Sequence, residues 1–421
     1  MHRPRSNTAR SALELLEKRQ LLAGINVADF GAIPDDGQDD SAAINAAIRA
    51  SRAGDTINFG PGTYDLHSTV QVRSNREYKG WNATLKRHGN DFAMATTGHN
   101  YNIIITSLTF DGGGFVVAGE RTGEAILIRD STFKNITGGY PTGNGVFVPS
   151  GLINSKITRN KFINILGETG IYGFKIFDNT EISHNYFEDV FEAIHTWHDA
   201  GENFRVIHNT GVRLRRMGIE LQGYNARNML VEGNRFRDWV NPYHGSFGLS
   251  IMNVGEGTVI RKNVLRGPHE APVGIEVAGR NGIVEDNLVE GFREGIHIVG
   301  ANGTHIRNNR LFNQGMMAIW RTGIDDGRDV KIYENTIRDP GWTAFLFHSG
   351  PSEGTVVENN IIENSSRRGI GVVAVGGGAL NGVRFSNNTF RNVEKITDGD
   401  QGGSGERNVA IDSGYAWPGW V

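Results

Sequence analysis

The chain has 421 residues, a formal net charge of −3, 57 glycines and no cysteine. That charge offers no support for nucleic acid or an anionic membrane as partner, and the missing thiols exclude a disulfide framework or a cysteine-ligated zinc site. No apolar run reaches the length of a membrane span.

Residues 1–24 read as a separate unit. His2, Arg3, Arg5 and Arg10 precede Ser11-Ala-Leu-Glu14, a capping-box pattern. No uninterrupted apolar stretch of a secretory signal is present. The run from Leu16 to Ala23 (Leu-Glu-Lys-Arg-Gln-Leu-Leu-Ala) resembles the Leu-Glu-x-Arg-x-Leu-Leu-Ala element of many exported bacterial proteins. That resemblance implies an export-type segment and an extracellular or cell-surface location.

Residues 25–86 carry the most specific resemblance. The segments Asn26-Val-Ala-Asp-Phe30-Gly31, Asp39-Asp40-Ser41-Ala-Ala-Ile44, Phe59-Gly-Pro61-Gly62-Thr63-Tyr64 and Tyr78-Lys-Gly80-Trp-Asn-Ala-Thr-Leu85 are similar to the opening of the pectate lyase-like domain shared with rhamnogalacturonases and related epimerase-like proteins. The resemblance implies a cap and first coils of a right-handed β-helix. The residues agree independently. Ile44, Ala47 and Ile48 make one apolar stripe of a short helix that Asp40 or Ser41 can start, and Phe59 to Tyr64 reads as strand–turn–strand. Asp35, Asp36, Asp39 and Asp40 read as capping and turn residues, since the alternation of a calcium loop is missing. The resemblance carries no reaction type. The paired-aspartate motifs of polygalacturonases are missing, and Arg338-Asp-Pro340 is only a superficial match to the lyase Arg-x-Pro segment.

From about residue 100 one phrase repeats: an aliphatic residue, two variable residues, Asn, a variable residue and an apolar one. It falls at Asn160, Asn185, Asn209, Asn234, Asn263, Asn287, Asn309, Asn335, Asn360 and Asn388, spaced by 22 to 29 residues. Such a period signals a solenoid whose units bury their apolar faces only by stacking. The apolar residues alternate in short Val-, Ile- and Phe-rich runs, so the units are strands. The predicted fold is all-β: a single-stranded right-handed parallel β-helix over 25–400, with a short N-terminal capping helix. Stacked asparagines would satisfy one another's amides, making them scaffold. Residues 401–421, with Tyr415, Trp417 and Trp420, read as a C-terminal tail or cap over the open end.

Aligning the coils on their asparagines brings a second phrase, Gly-Ile-x-Ile or a variant, into register. Its middle residues should point outward and form a line: His195, Glu220, Ser250, Glu276, His297, Trp320 and Leu346. The outward column just after the asparagines holds no carboxylate, so this line differs from an idle face. Each histidine should lie one coil from a glutamate, close enough for a hydrogen bond that raises the imidazole pKa. Glu220 and Glu276, two coils apart, suit an acid/base carboxyl pair, with His195 and His297 tuning or sharing proton transfer. Longer connections bearing Asn241-Pro-Tyr243-His244 and Gly267-Pro-His269-Glu270 would wall a groove. Trp197, His198, Asp199, Gln222, Tyr224, Tyr243, His244, Ser250 and Trp320 are candidate substrate-binding residues.

These residues predict an exported enzyme that cleaves a polysaccharide, acidic ones included, by glycosidase-type chemistry. A uronate lyase or epimerase, and a non-catalytic glycan-binding surface or spike protein, stand as alternatives. No metal site or cofactor is expected from the motifs, with calcium left open. An ordinary ladder of surface ion pairs would look similar in sequence, each pair contributing only about 0.2–1 kcal/mol.

Overall fold

The computed structural model describes residues 24–416, apart from 99, 120–121, 198–200, 224–225, 243–244, 255, 323–326, 349, 351, 366–369, 377–378, 400–402 and 415. The export-type segment and the two tail tryptophans lie outside the described residues, as do His198, Asp199, Tyr224, Tyr243 and His244.

The chain winds into a right-handed parallel β-solenoid of about 13 turns. A typical coil has three strands, as in Leu230–Glu232, Arg235–Arg237 and Phe247–Val254. Each pairs in parallel with its counterpart one coil on: Val231 with Ile260, Phe236 with Leu265, Ser250 with Glu276.

The asparagine phrase makes the bend between the first two strands. The residue before each asparagine (for example His184, His208, Lys262 and Asp286) is left-handed, with φ near 56°. This turns the chain and aims the asparagine side chain along the axis. Asn263 shows the pattern: its Oδ1 accepts from the Asn234 backbone N–H (2.9 Å) and Nδ2 (3.0 Å), while its own Nδ2 donates to Val231 O and Asn287 Oδ1. Every group of a fully buried amide is thereby used, which removes the penalty of burying it. The ladder runs past the last repeated phrase to Asn408, which accepts from Asn388, and strands continue to Val409–Ile411.

Inside, the inward residues stack as like on like. Phe110, Phe133, Phe162 and Phe187 form a column with ring centroids 4.6 to 5.0 Å apart and near-parallel planes. Burying each such side chain stabilises by about 1.5–3 kcal/mol. The glycine opening the third strand has a separate reason. A Cβ on Gly218, Gly248 or Gly295 would lie 2.4 to 2.5 Å from the carbonyl oxygen of the next coil, closer than atoms can pack.

One α-helix among the described residues, Ser41–Ala50, covers the N-terminal end with Ile44, Ala47 and Ile48 buried. Its start differs from the sequence expectation. The Asp40 side chain makes no cap bond; its two oxygens accept from Ile33 N and Asp65 N, tying the helix to the first coil. Asp39 Oδ1 instead accepts from Ser41 N at 3.0 Å.

Candidate active site

The third strands set the outward column in the predicted register. His195 pairs with Glu220, Glu220 with Ser250, Ser250 with Glu276, Glu276 with His297, His297 with Trp320, and Trp320 with Leu346. The centre of this column is a palindrome, His–Glu–Ser–Glu–His, about Ser250. Apolar clusters bank it on both sides. Phe92, Val116 and Phe147 pack with Tyr172 and Phe174 before it, and Met317, Leu346 and Val373 with Trp320 and Trp342 after it.

Each histidine also meets a glutamate that the column did not include. The His195 Nδ1 lies 2.8 Å from Glu192 Oε2 and 3.7 Å from Glu220 Oε2. The His297 Nδ1 lies 3.6 Å from Glu276 Oε2 and 3.7 Å from Glu294 Oε2. The sequence carried a signal for this, Glu192-Ala-Ile-His195 repeated as Glu294-Gly-Ile-His297. Strict alternation places residues three apart on opposite faces. Here the alternation is lost, since residues 192–196 and 294–296 are buried in succession, and both glutamates reach the imidazole three residues on.

The two Glu–His–Glu clusters differ in charge compensation. In the first, the Arg216 guanidinium pairs with both Glu192 and Glu220, the latter at 2.8 Å, while Gln222 donates to Glu220 and Thr169 Oγ1 to Glu192. In the second, Glu276 accepts from Ser250 Oγ at 2.9 Å, and Glu294 Oε2 is buried with no hydrogen-bond partner. Burial pushes the Glu276 carboxyl up, more than the Ser250 bond pulls it down, with Glu220 adding to the rise. Burial also raises Glu294, to about 7, with Glu276 contributing and Arg293 opposing. The bonds of Arg216 and Gln222 to the first cluster were not predicted, because nothing in linear spacing shows which side chains fold over the column.

The expectation for the histidines is corrected. Their cross-coil carboxylates stand beyond hydrogen-bond distance, and burial lowers both imidazoles. His195 is pushed down although Glu220 and Glu168 pull it up, and His297 falls to about 4 with His348 adding to the fall. Burial pushes the Tyr172 phenol up to about 12. Both histidines are therefore neutral, and Tyr172 protonated, near pH 7.

The column is also less open than an outer face should be. The Glu192 and Glu220 side chains are only 3% and 2% exposed, whereas Glu276 and His297 keep 13% and 12%. Access is therefore from the Glu276–His297 end. Trp320 stacks on His297 there, with centroids 4.1 Å apart and planes 8° apart, so one ring face is already occupied. Trp197 is half-buried with its ring 5.8 Å from that of His195.

Glu192, His195 and Glu220 offer three potential ligand atoms within 4.8 Å of one another. They do not suit a metal ion as they stand, because Arg216 already supplies the cation between the two carboxylates. A cavity of about 770 Å³ lies elsewhere, beside the residues that follow the second strands. It is lined by Asp238, Trp239, Arg266, His269, Glu290 and Asn313 and includes part of the predicted Gly267-Pro-His269 wall. Its volume alone does not make it the site; the buried carboxyls and imidazoles that the sequence singled out are on the column. Trp239 joins the two by donating its Nε1–H to Arg216 O at 2.9 Å.

Fold and register define a right-handed parallel β-helix, and the comparisons agree. Residues 248–390 match the family described as right handed beta helix region, and residues 24–84 match rhamnogalacturonase A/epimerase, pectate lyase-like. The fold is a right-handed parallel β-helix, and its N-terminal cap and first coils are similar to the pectate lyase-like family. Among solved structures it is similar to a tailspike protein mutant of E. coli bacteriophage HK620 in complex with a pentasaccharide (14% identity, 95% of this chain and 79% of that one, TM-score 0.62). It is also similar to the Streptococcus pneumoniae surface protein and adhesin PfbA (16% identity, 92% and 100%, TM-score 0.53). A third is bacteriophage phi29 gene product 12 (14% identity, 97% and 58%, TM-score 0.61). At these identities the likeness is one of fold. No curated protein matches the chain.

Proposed function

We propose that the protein is an exported enzyme that hydrolyses a polysaccharide, with Glu276 as general acid and Glu220 as general base. One observation carries this reading: two carboxyls two rungs apart on a single column have opposite environments. Glu220 is held by Arg216 and Gln222, while Glu276 is desolvated with only a hydroxyl donor. Divergent environments of this kind separate an acid from a base. Their backbones lie roughly 9–10 Å apart by strand spacing, and side chains can bring the carboxyls into the about 6.5–9.5 Å range that leaves room for an attacking water. Glu276 would protonate the glycosidic oxygen, the bond to the anomeric carbon would break, and water would add as Glu220 takes its proton. The wild type and Glu276→Gln are to be incubated with a panel of plant and algal polysaccharides. New reducing ends that vanish in the variant support the reading; equal cleavage by both rejects it.

A second reading, elimination from a uronate, has one observation in its favour. His297 is held neutral by burial and so is free to accept a proton alpha to a carboxylate. Its product carries a double bond and absorbs in the ultraviolet, so the same panel separates the two reactions.

A further inference from the structure

We propose that Glu294 supplies the proton that recharges Glu276 after each turnover, passing it through the His297 Nδ1 that lies between the two carboxyls. The inference rests on Glu276 being the general acid. Glu294 acts through His297 and touches no substrate, so it is a positioning and proton-supplying residue.

The geometry is that of one imidazole nitrogen facing two carboxyls, each just beyond hydrogen-bond distance and brought within it by a small side-chain rotation. One imidazole nitrogen stands nearly equidistant from two carboxyl oxygens, 3.6 Å from Glu276 Oε2 and 3.7 Å from Glu294 Oε2. Glu294 is 7% exposed, and its Oε2 has no hydrogen-bond partner. A buried carboxyl oxygen left alone is expensive as an anion, which favours a proton on it facing Nδ1. The His297 Nε2, also buried without a partner, then carries the ring's N–H. The charged groups around Glu294 pull in opposite directions: Glu276 on the coil before favours the proton and Arg293, its neighbour in the chain, opposes it, while Val273 and Met317, paired with it from the coils before and after, bring no charge. His348 stands beyond Trp320 and works against a positive charge on His297. The rise of the Glu294 carboxyl to about 7 supports a group loaded with a proton at working pH.

The steps balance. Glu276 gives its proton to the leaving oxygen and becomes a carboxylate. The Glu294 Oε2–H proton moves to His297 Nδ1, forming a transient imidazolium, and that same nitrogen releases it to Glu276 Oε2. Glu294 regains a proton from solvent, into which Glu220 discharges the one taken from water. The Glu192–His195–Glu220 cluster is built differently, because Arg216 pairs with both of its carboxylates and Glu192 is hydrogen-bonded to the imidazole at 2.8 Å.

The first test needs no substrate: a pH titration of protein with ¹³C-labelled glutamate carboxyls and ¹⁵N-labelled histidines. One carboxyl resonance, absent from Glu294→Gln, should titrate near pH 7, and the His297 Nδ1 shift should move in the same step. A Glu294 carboxyl titrating in the ordinary range overturns the proposal, and this readout on the wild type holds even if the variant fails to fold. The second test is the pH profile of cleavage of whichever panel polysaccharide the wild type degrades. Glu294→Gln should lower kcat at least tenfold at pH 7 with KM unchanged and move the alkaline limb to lower pH. Profiles that superimpose also overturn it. An inactive Glu276→Gln beside an unaffected Glu294→Gln sinks only the relay; an active Glu276→Gln sinks the underlying reading.

Discussion

Glu192 and Glu294 occupy the same place, three residues before a column histidine at the same corner of the coil, yet Glu192 shares an arginine and Glu294 does not. The fold supplies two copies of one acid–imidazole arrangement, and Arg216, with the Thr169 and Gln222 donors beside it, makes them chemically different.

Arg216 should therefore matter for stability before it matters for catalysis. Arg216→Met leaves Glu192 and Glu220, both almost fully buried, without their cation. The loss should be about 3–5 kcal/mol, the range for stripping one partner from a buried ion network. Adding Glu192→Gln to that variant should recover part of it. Urea unfolding followed by circular dichroism checks both; an unchanged midpoint for Arg216→Met would show the network to be idle.

Glu294 and His297 should cancel in the pH dependence of folding. Between about pH 4.5 and 6.5 the unfolded pair holds one proton, on histidine, and the folded pair also holds one, on glutamate. Equal proton counts give no slope from this pair. Glu294→Gln leaves a histidine depressed to about 4, so stability should fall as pH drops from 6.5 towards 4. His297→Asn leaves a glutamate raised to about 7, so stability should fall as pH rises from 4.5 towards 7. Each variant should change by about 3 kcal/mol across its window. Denaturant midpoints against pH would show slopes of opposite sign; slopes of one sign contradict the assignment.

The asparagine ladder should respond as a chain of shared bonds. Asn263→Ala takes away the acceptor of the buried Asn234 backbone N–H, one of the two acceptors of the Asn234 side-chain amide, and the Asn263 side-chain donor to the Val231 carbonyl. Each buried group left unpaired costs about 1–3 kcal/mol, whereas Thr336→Ala, half-buried on the outside, should change stability by about 0.5 kcal/mol or less. Equal effects of the two changes would remove the ladder from the account of stability.

The fold was legible because a solenoid repeats its physics. One asparagine per coil fixed the period, one glycine or alanine per coil marked the start of the third strand, and together they fixed the register from His195 to Leu346. The site was legible only as far as alternation holds. Glu192 and Glu294 were missed because strict alternation puts residues three apart on opposite faces, which residues 192–196 and 294–296 do not follow, and Arg216 because a long side chain reaches across coils. The imidazole shifts were expected upward because spacing shows neighbours but not burial, and in this column burial outweighs the neighbouring carboxylates.

The central claim is that Glu220 and Glu276 divide acid and base work across two rungs. Proton NMR of the first product released from a cleaved polysaccharide tests it most directly, because a water-spanning carboxyl pair inverts the anomeric centre. The account predicts an inverted anomer from the wild type and none from Glu220→Gln or Glu276→Gln. A retained anomer, or undiminished product from either variant, would contradict it.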